Sequence, residues 1–278
     1  MQKYEVIIVQ NEAKAKIIRN HIELAIIVIL CAFILVFDFI DISYSKDAFY
    51  NRMISKIVQQ SCGVIAGILI LVRLRVKLFG KPKKLLYLIP CMIIAVDNFQ
   101  FCAYFSGKMQ LVRTSLKDFT LFGAYCLSIG LFEEIVFRGI IFSTLAGFFG
   151  NTRKGFLTTY ILSSCVFGVA HLFNGFSLGT LLQVAYTILT GGLFAFCLIK
   201  TKNIFCCAFV HAIYNFCGLL FDVQGLGSGV VFDMGTTITM LIVSIIVGIF
   251  VLYKVFKYTD AERNELYDCL GVKEKKID

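Results

Sequence analysis

Three charged side chains stand inside one long apolar stretch of the sequence. The decapeptide GLFEEIVFRG, residues 130–139, contains Glu133, Glu134 and Arg138, and apolar residues surround it from 119 to 145. A charge inside a membrane span costs at least about 2.5–3.5 kcal/mol, so each of these charges requires a partner or a function. Glu134 and Arg138 are four residues apart, which predicts a salt bridge on one helix face. Glu133 points to a different face and has no local partner.

Two of the three histidines in the sequence lie in other apolar stretches. His171 occurs in VFGVAHLF, and His211 occurs in FVHAIYNF, where Asn215 follows four residues later on the same helix face. A carboxylate beside an imidazole can act as a general base and activate a water molecule. An asparagine amide and a second histidine can stabilise the oxyanion that forms when a peptide carbonyl is attacked. These residue types predict a hydrolytic site.

The residues alone leave two schemes open for this chemistry. No serine or cysteine stands in a motif that marks it as a nucleophile, so direct attack by water is the simpler scheme. Glu133, His171 and His211 are also a legitimate set of zinc ligands. The HExxH spacing is absent, so the sequence does not encode the geometry of a zinc site locally.

The composition indicates a polytopic all-α membrane protein. Of the 278 residues, 58% are hydrophobic and 16% are charged, and the mean hydropathy is +0.82. Soluble domains are about a quarter charged. The apolar residues form continuous blocks long enough to cross a bilayer as helices, and lipid requires spanning segments to be helical or closed barrels. The net charge of +9 is explained by basic loops near anionic lipid, so no nucleic-acid partner is expected.

Eight spans are predicted in a single integral membrane domain that covers residues 1–278. Their approximate bounds are 22–40, 57–74, 86–105, 119–145, 156–173, 178–199, 204–221 and 231–253. With both termini cytoplasmic, the inner segments carry 20 Lys and Arg and the outer loops carry 6, which agrees with the positive-inside rule. The basic N-terminus followed by the first span is interpreted as an uncleaved anchor. The expected location is the plasma membrane of a bacterium.

The predicted helices bring the polar residues to comparable depths. Glu133 lies about 18 Å, and His171 about 22 Å, from the cytoplasmic ends of the fourth and fifth spans at helical rise. His211 lies about 10 Å, and Asn215 about 16 Å, along the seventh span. The sequence therefore predicts a catalytic cavity among spans four, five and seven that lies below the cytoplasmic face.

Three motifs in this order resemble the CAAX-protease and bacteriocin-processing family, also called CPBP or Abi. The resemblance covers residues 119–221. The motifs are EExxxR (Glu133, Glu134, Arg138), FxxxH (Phe167, His171) and HxxxN (His211, Asn215). The family includes the type II CAAX prenyl, or Ras-converting, endopeptidase and bacterial members tied to peptide maturation and bacteriocin self-immunity.

The resemblance implies roles for the residues around the reacting bond. Glu133 is implied as the base that activates water, with His171 as its partner. His211 and Asn215 are implied as stabilisers of the oxyanion. A metal-free glutamic protease is therefore expected, with no cofactor, and zinc bound by Glu133, His171 and His211 is the alternative.

Glu134 and Arg138 are implied as supports of these catalytic residues. The expected partners are membrane lipid and a peptide or lipidated protein substrate. The alternative function is a non-catalytic membrane scaffold or a bacteriocin self-immunity protein of the same fold. A transporter is disfavoured because the sequence shows no inverted repeat and no pair of broken helices. The sequence does not specify the natural substrate or the oligomeric state.

Overall fold

The computed structural model describes residues 45–113, 115–221, 226–229 and 233–272. The predicted first span, 22–40, lies outside these residues. The α-helices of the described residues are α1 (Ala48–Arg73), α2 (Leu88–Asp97), α3 (Phe101–Phe105), α4 (Leu116–Glu134), α5 (Phe142–Phe149), α6 (Arg153–Ala170), α7 (Leu178–Thr201), α8 (Ile204–Leu219), α9 (Met234–Phe256) and α10 (Asp260–Cys269).

Shorter elements complete the described structure. A 3₁₀ turn (Leu85–Tyr87) precedes α2, a second one (His171–Asn174) follows α6, and a π-helical segment (Ile135–Ile141) joins α4 to α5. Two three-residue strands, β1 (Met109–Leu111) and β2 (Gly227–Gly229), pair antiparallel. The prediction of an all-α membrane protein is confirmed.

Four helical stretches in the described part of the chain are long and apolar enough to cross a membrane. They are α1, Arg153–Asn174, α7 and α9, and they overlap the second, fifth, sixth and eighth predicted spans. The seventh predicted span corresponds to α8, which is a shorter apolar helix. Arg153–Asn174, α7, α8 and α9 begin and end within three residues of the predicted spans, whereas α1 begins at Ala48, nine residues before the predicted span 57–74.

The fourth predicted span is longer than expected and changes its helical geometry in the middle. Helices α4 and α5 and the π-helical segment between them are contiguous from Leu116 to Phe149. The π-helical segment begins directly after Glu134 and contains Arg138, and six of its seven residues are buried. π-helical turns inside α-helices occur frequently at functional sites. The position of this segment therefore indicates that Glu134 and Arg138 belong to a functional site.

The third predicted span, 86–105, is wrong as a continuous helix. Helix α2 ends at Asp97, and α3 begins at Phe101. The Asn98 side chain donates a hydrogen bond of 2.9 Å to the Tyr214 carbonyl oxygen on α8. Asparagine favours contacts of this kind over helix interiors, and here the contact coincides with the break in the helix.

Helix α10 connects segments that were predicted to be cytoplasmic. Glu262 forms ion pairs with Lys84 and Lys200, and a second acidic side chain of α10, Glu265, forms ion pairs with Lys83 and Lys202. Lys83 and Lys84 precede α2, whereas Lys200 lies in the last turn of α7 and Lys202 directly follows that helix. Hydrogen bonds from Lys202 and Lys83 hold the pKa of Glu265 at about 2. Helix α10 is therefore joined by ion pairs to two of the segments that were predicted to be cytoplasmic.

The segments predicted to face the opposite side of the membrane also contact one another. Arg113, before α4, pairs with Asp47, before α1, at 2.7 Å. Lys108 pairs with Asp233, which caps α9. Strands β1 and β2 join the same two regions of the chain. The two sets of predicted loops therefore form separate groups of contacts, as the predicted topology requires.

Candidate active site

The four helices that build the site each begin at a polar N-cap residue. In each case the side-chain oxygen accepts a hydrogen bond from the backbone N–H three residues later. The capping residues are Ser115 for α4, Thr152 for α6, Ser177 for α7 and Asn203 for α8. Such caps fix where a helix begins and so determine which face each later residue occupies.

Glu134, Arg138 and His211 form a buried ionic cluster. Glu134 is fully buried, and its Oε2 lies 3.2 Å from Nε of Arg138, which confirms the predicted i, i+4 salt bridge. Its Oε1 lies 2.8 Å from Nδ1 of His211. The carboxylate oxygen accepts this hydrogen bond, so Nδ1 of His211 donates it. Glu134 therefore fixes the direction of the imidazole ring and holds the proton on Nδ1.

Arg138 is held on several sides by other groups. Its Nη2 donates a hydrogen bond of 2.9 Å to the carbonyl oxygen of Gly191 on α7. Its guanidinium carbon lies 4.2 Å from the centre of the Phe167 ring and 5.3 Å from the centre of the Phe194 ring. Contacts of a cation with aromatic faces are favourable, particularly away from water. Arg138 is therefore a fixed countercharge for Glu134.

Glu133 approaches the other nitrogen of the same imidazole. Its Oε2 lies 3.7 Å from Nε2 of His211, and 24% of its side chain is exposed. This distance exceeds that of a direct hydrogen bond. A water molecule between the two side chains, or a proton that they share, would bridge this separation. His211 is thus the histidine that Glu133 approaches, whereas the family resemblance implied His171 as its partner.

His171 lies at the end of α6 and contacts the cluster through Phe167. Its Nδ1 lies 3.0 Å from the Phe167 carbonyl oxygen, which is an acceptor, so Nδ1 is the donor. The centre of the Phe167 ring lies 5.2 Å from that of the His171 ring and 5.9 Å from that of the His211 ring. Phe167 therefore contacts both imidazoles edge to face.

Asn215 lies one helical turn after His211 on α8 and is partly buried. Its neighbour Tyr214 receives the hydrogen bond from Asn98 described above. Gly218 allows this contact, because a Cβ there would lie 2.2 Å from the Asn98 amide nitrogen. Helix α2 thus fixes the part of α8 that carries Asn215.

The alternative zinc ligands do not form a ligand group in the described structure. Among residues 45–113, 115–221, 226–229 and 233–272, no three His, Cys, Asp or Glu side chains are placed to hold one metal ion. Glu133 and His211 are neighbours, whereas His171 contacts His211 only through the Phe167 ring.

Close packing of α4 against α8 brings the two glutamates to His211. A Cβ on Gly130 of α4 would lie 2.5 Å from the Ala208 carbonyl oxygen and 3.0 Å from the Ala212 nitrogen. Both of these atoms belong to the rigid backbone of α8, one turn or less from His211. Only glycine permits this approach, so Gly130 sets the separation between the carboxylates and the imidazole.

Replacing Gly130 with alanine should destabilise the protein by about 1–3 kcal/mol, because the added methyl group overlaps the α8 backbone. Gly123 on the same helix is the matched control, since no atom lies within 4 Å of the position of its Cβ. Gly123→Ala should stabilise the helix by about 0.5–1 kcal/mol. Thermal unfolding in detergent compares the two variants, and equal stabilities would contradict the close contact.

Helix α7 contributes to the site although it contains no residue of the three motifs. Gly191 binds Arg138 through its carbonyl oxygen, and the Phe194 ring packs against His211 with ring centres 4.4 Å apart. Tyr160 on α6 donates a hydrogen bond of 2.7 Å to the neighbouring Gly192 carbonyl oxygen. The glycine pair in the sixth span is the one sequence signal that could have identified this close contact.

Comparison with known proteins identifies one family. Residues 115–217 match the family described as Type II CAAX prenyl endopeptidase Rce1-like. The matched region begins at the N-cap of α4 and ends within α8, so it contains all six predicted site residues. No curated protein and no solved structure matches the chain.

Proposed function

We propose that the protein is an intramembrane endopeptidase that uses Glu133 to activate water, because residues 115–217 match the Type II CAAX prenyl endopeptidase Rce1-like family. The family implies endopeptidase activity of the CAAX type. The observation that supports this assignment best is the approach of Glu133 Oε2 to Nε2 of His211, 3.7 Å apart. A water molecule between them would donate one proton to each acceptor.

The proposed reaction begins with attack of this water on a peptide carbonyl carbon. The bond from oxygen to carbon forms as a proton passes from the water to Glu133. Glu134 holds the proton on Nδ1 of His211, so Nε2 keeps its lone pair and orients the water. Glu133 then delivers its proton to the leaving amide nitrogen, and the carbon–nitrogen bond breaks.

The roles that we propose for the two histidines differ from those that the family resemblance implied. The contacts favour His211, and not His171, as the direct partner of Glu133. His171 presents an acceptor nitrogen, which suits binding of a substrate N–H group. The Asn215 amide is the donor we propose for the oxyanion, since preorganised amide donors stabilise such charges.

The proposed orientation places both termini in the cytoplasm of a bacterial cell, with the protein in the plasma membrane. The separate contact groups at the two ends of the molecule support it. His211 lies seven residues after the start of α8, about 10 Å from the end that α10 covers. The reacting bond would then lie near the cytoplasmic face.

The proposed substrate is a peptide or protein that carries a lipid group or a hydrophobic segment. The Rce1-like family acts on prenylated proteins in membranes, which supports a lipidated substrate. The purified protein in lipid nanodiscs should cleave matched peptides, with and without a prenyl group, near their C-terminus. Mass spectrometry identifies the products, and addition of a chelator tests the zinc alternative.

Faster cleavage of the prenylated peptide would establish a CAAX-type substrate, and equal cleavage would favour precursor processing. Activity that a chelator abolishes and added zinc restores would contradict the metal-free mechanism. If neither peptide is cleaved, the scaffold or immunity function replaces the proposed one.

A further inference from the structure

The imidazole of His211 is held by two different kinds of contact. The single hydrogen bond from Nδ1 to Glu134 restrains one edge of the ring, and rotation of the ring about its Cβ–Cγ bond would break it. The Phe194 ring covers one face of the imidazole, with centres 4.4 Å apart and planes inclined by only 21°. A nearly parallel aromatic ring at this distance prevents that rotation. The two contacts together direct Nε2 toward Glu133.

The Phe194 ring is itself fixed by its neighbours. Phe194 is 1% exposed, so its ring has no open side into which to turn. Phe167 lies edge to face at 6.1 Å, and Tyr214 lies edge to face at 6.0 Å. Close packing of this kind keeps side chains in one rotamer on average. Phe194 therefore acts as a rigid wall against His211.

We infer that Phe194 is a positioning residue for the reaction, and that it holds the plane of the His211 ring so that Nε2 faces Glu133. This inference rests on the proposed function. It adds to the site a residue from α7, a helix that contributes nothing to the three motifs. Phe194 touches neither the water nor the peptide in this scheme and acts through His211.

The electrostatic surroundings make the expected effect specific. The charged groups that face His211 are Glu133 and Glu134, both from α4, and Arg138 acts on it through Glu134. The faces turned toward α6 and α7 are covered by Phe167 and Phe194. Replacing Phe194 therefore uncovers one face of the imidazole and leaves both carboxylates in place.

The inference is tested with Phe194→Leu, which keeps an apolar side chain but removes the ring, and with Phe194→Tyr, which keeps the ring. Phe196→Leu is the matched control. Phe196 is fully buried on the same helix, and its ring contacts are to Tyr87 and Phe250, away from the site. Phe194→Met is a second substitution of comparable volume if the leucine variant folds poorly.

We expect Phe194→Leu to reduce kcat for peptide cleavage by about 10- to 100-fold with little change in KM, since small misplacements of catalytic groups have effects of this size. Phe194→Tyr should keep most of the native kcat, and Phe196→Leu should do the same.

A second measurement does not depend on turnover. The sequence has three histidines, so the ring protons of His211 can be assigned by NMR with one His→Gln variant each. Phe194→Leu or Phe194→Met should remove the ring-current shift of His211 and leave that of His171 in place. Unchanged His211 resonances in both variants would overturn the inference.

The inference and the proposed function fail in different ways. Cleavage by the native protein, with equal kcat values for Phe194→Leu and Phe196→Leu, would overturn only the positioning role. Absence of cleavage by the native protein would overturn the proposed function and this role with it.

Discussion

Replacing Glu133 with glutamine should lower the rate of peptide-bond cleavage by about 10²–10⁴-fold, the usual contribution of a general base. Glutamine has nearly the same shape as glutamate but cannot accept the proton of the attacking water. Glu133 is partly exposed and is not held by a cation in the described structure, so the fold should tolerate the change. The rate is measured with the purified protein and a peptide it cleaves, together with the thermal stability of each variant.

Asp97→Asn is the matched control for this substitution. Asp97 is another partly buried carboxylate, at the end of α2, and it is outside the cluster around His211. Its conversion to an amide should leave cleavage within about threefold of the native rate, as expected for a residue outside the catalytic group. Equal rates for the native protein and Glu133→Gln, at equal expression, would exclude Glu133 as the base.

Replacing Arg138 with methionine should destabilise the protein by about 3–5 kcal/mol, because it leaves a buried carboxylate without its countercharge. Glu134 is fully buried and lies 3.2 Å from Arg138 Nε, so water cannot replace the lost partner. Unfolding of the detergent-solubilised protein by heat or denaturant measures this difference. The double variant Glu134→Gln/Arg138→Met should lose less than the sum of the two single variants, since the residues are coupled.

Arg153→Met is the matched control for Arg138→Met, because Arg153 is not the countercharge of a buried carboxylate. Arg153 is exposed and donates a hydrogen bond to the Phe256 carbonyl oxygen, much as Arg138 does to Gly191. Its loss should cost less than about 1 kcal/mol, as is usual at exposed positions. Similar losses for Arg138→Met and Arg153→Met would show that the buried ion pair does not support the site.

The sequence predicted the contacts that depend on spacing along one helix. Glu134 and Arg138 are four residues apart and do form an ion pair. The spans also followed from apolar runs, because lipid requires helices of a minimum length. Asn98 interrupts one of these apolar runs. The sequence pattern did not reveal that its side chain binds α8 or that the helix breaks at this position.

Contacts between residues on different helices could not be predicted from the spacing of residues along the sequence. Two adjacent glutamates were expected to face different directions, yet both reach His211, because an imidazole has a nitrogen on each of two edges. The π-helical segment after Glu134 has no sequence signal that we can identify. The contribution of Phe194 depends on how α7 packs against α8, and it could not be read from either helix alone.

The most direct test of the central claim is cleavage in water enriched in ¹⁸O, with the native protein and Glu133→Gln supplied with the same prenylated peptide. Mass spectrometry of the N-terminal product, which carries the new carboxyl group, identifies both the cleaved bond and the origin of the new carboxylate oxygen. The account predicts one ¹⁸O atom in the new carboxyl terminus for the native protein and almost no product for the variant. Equal amounts of labelled product from both proteins, or no product from the native protein with any peptide, would contradict it.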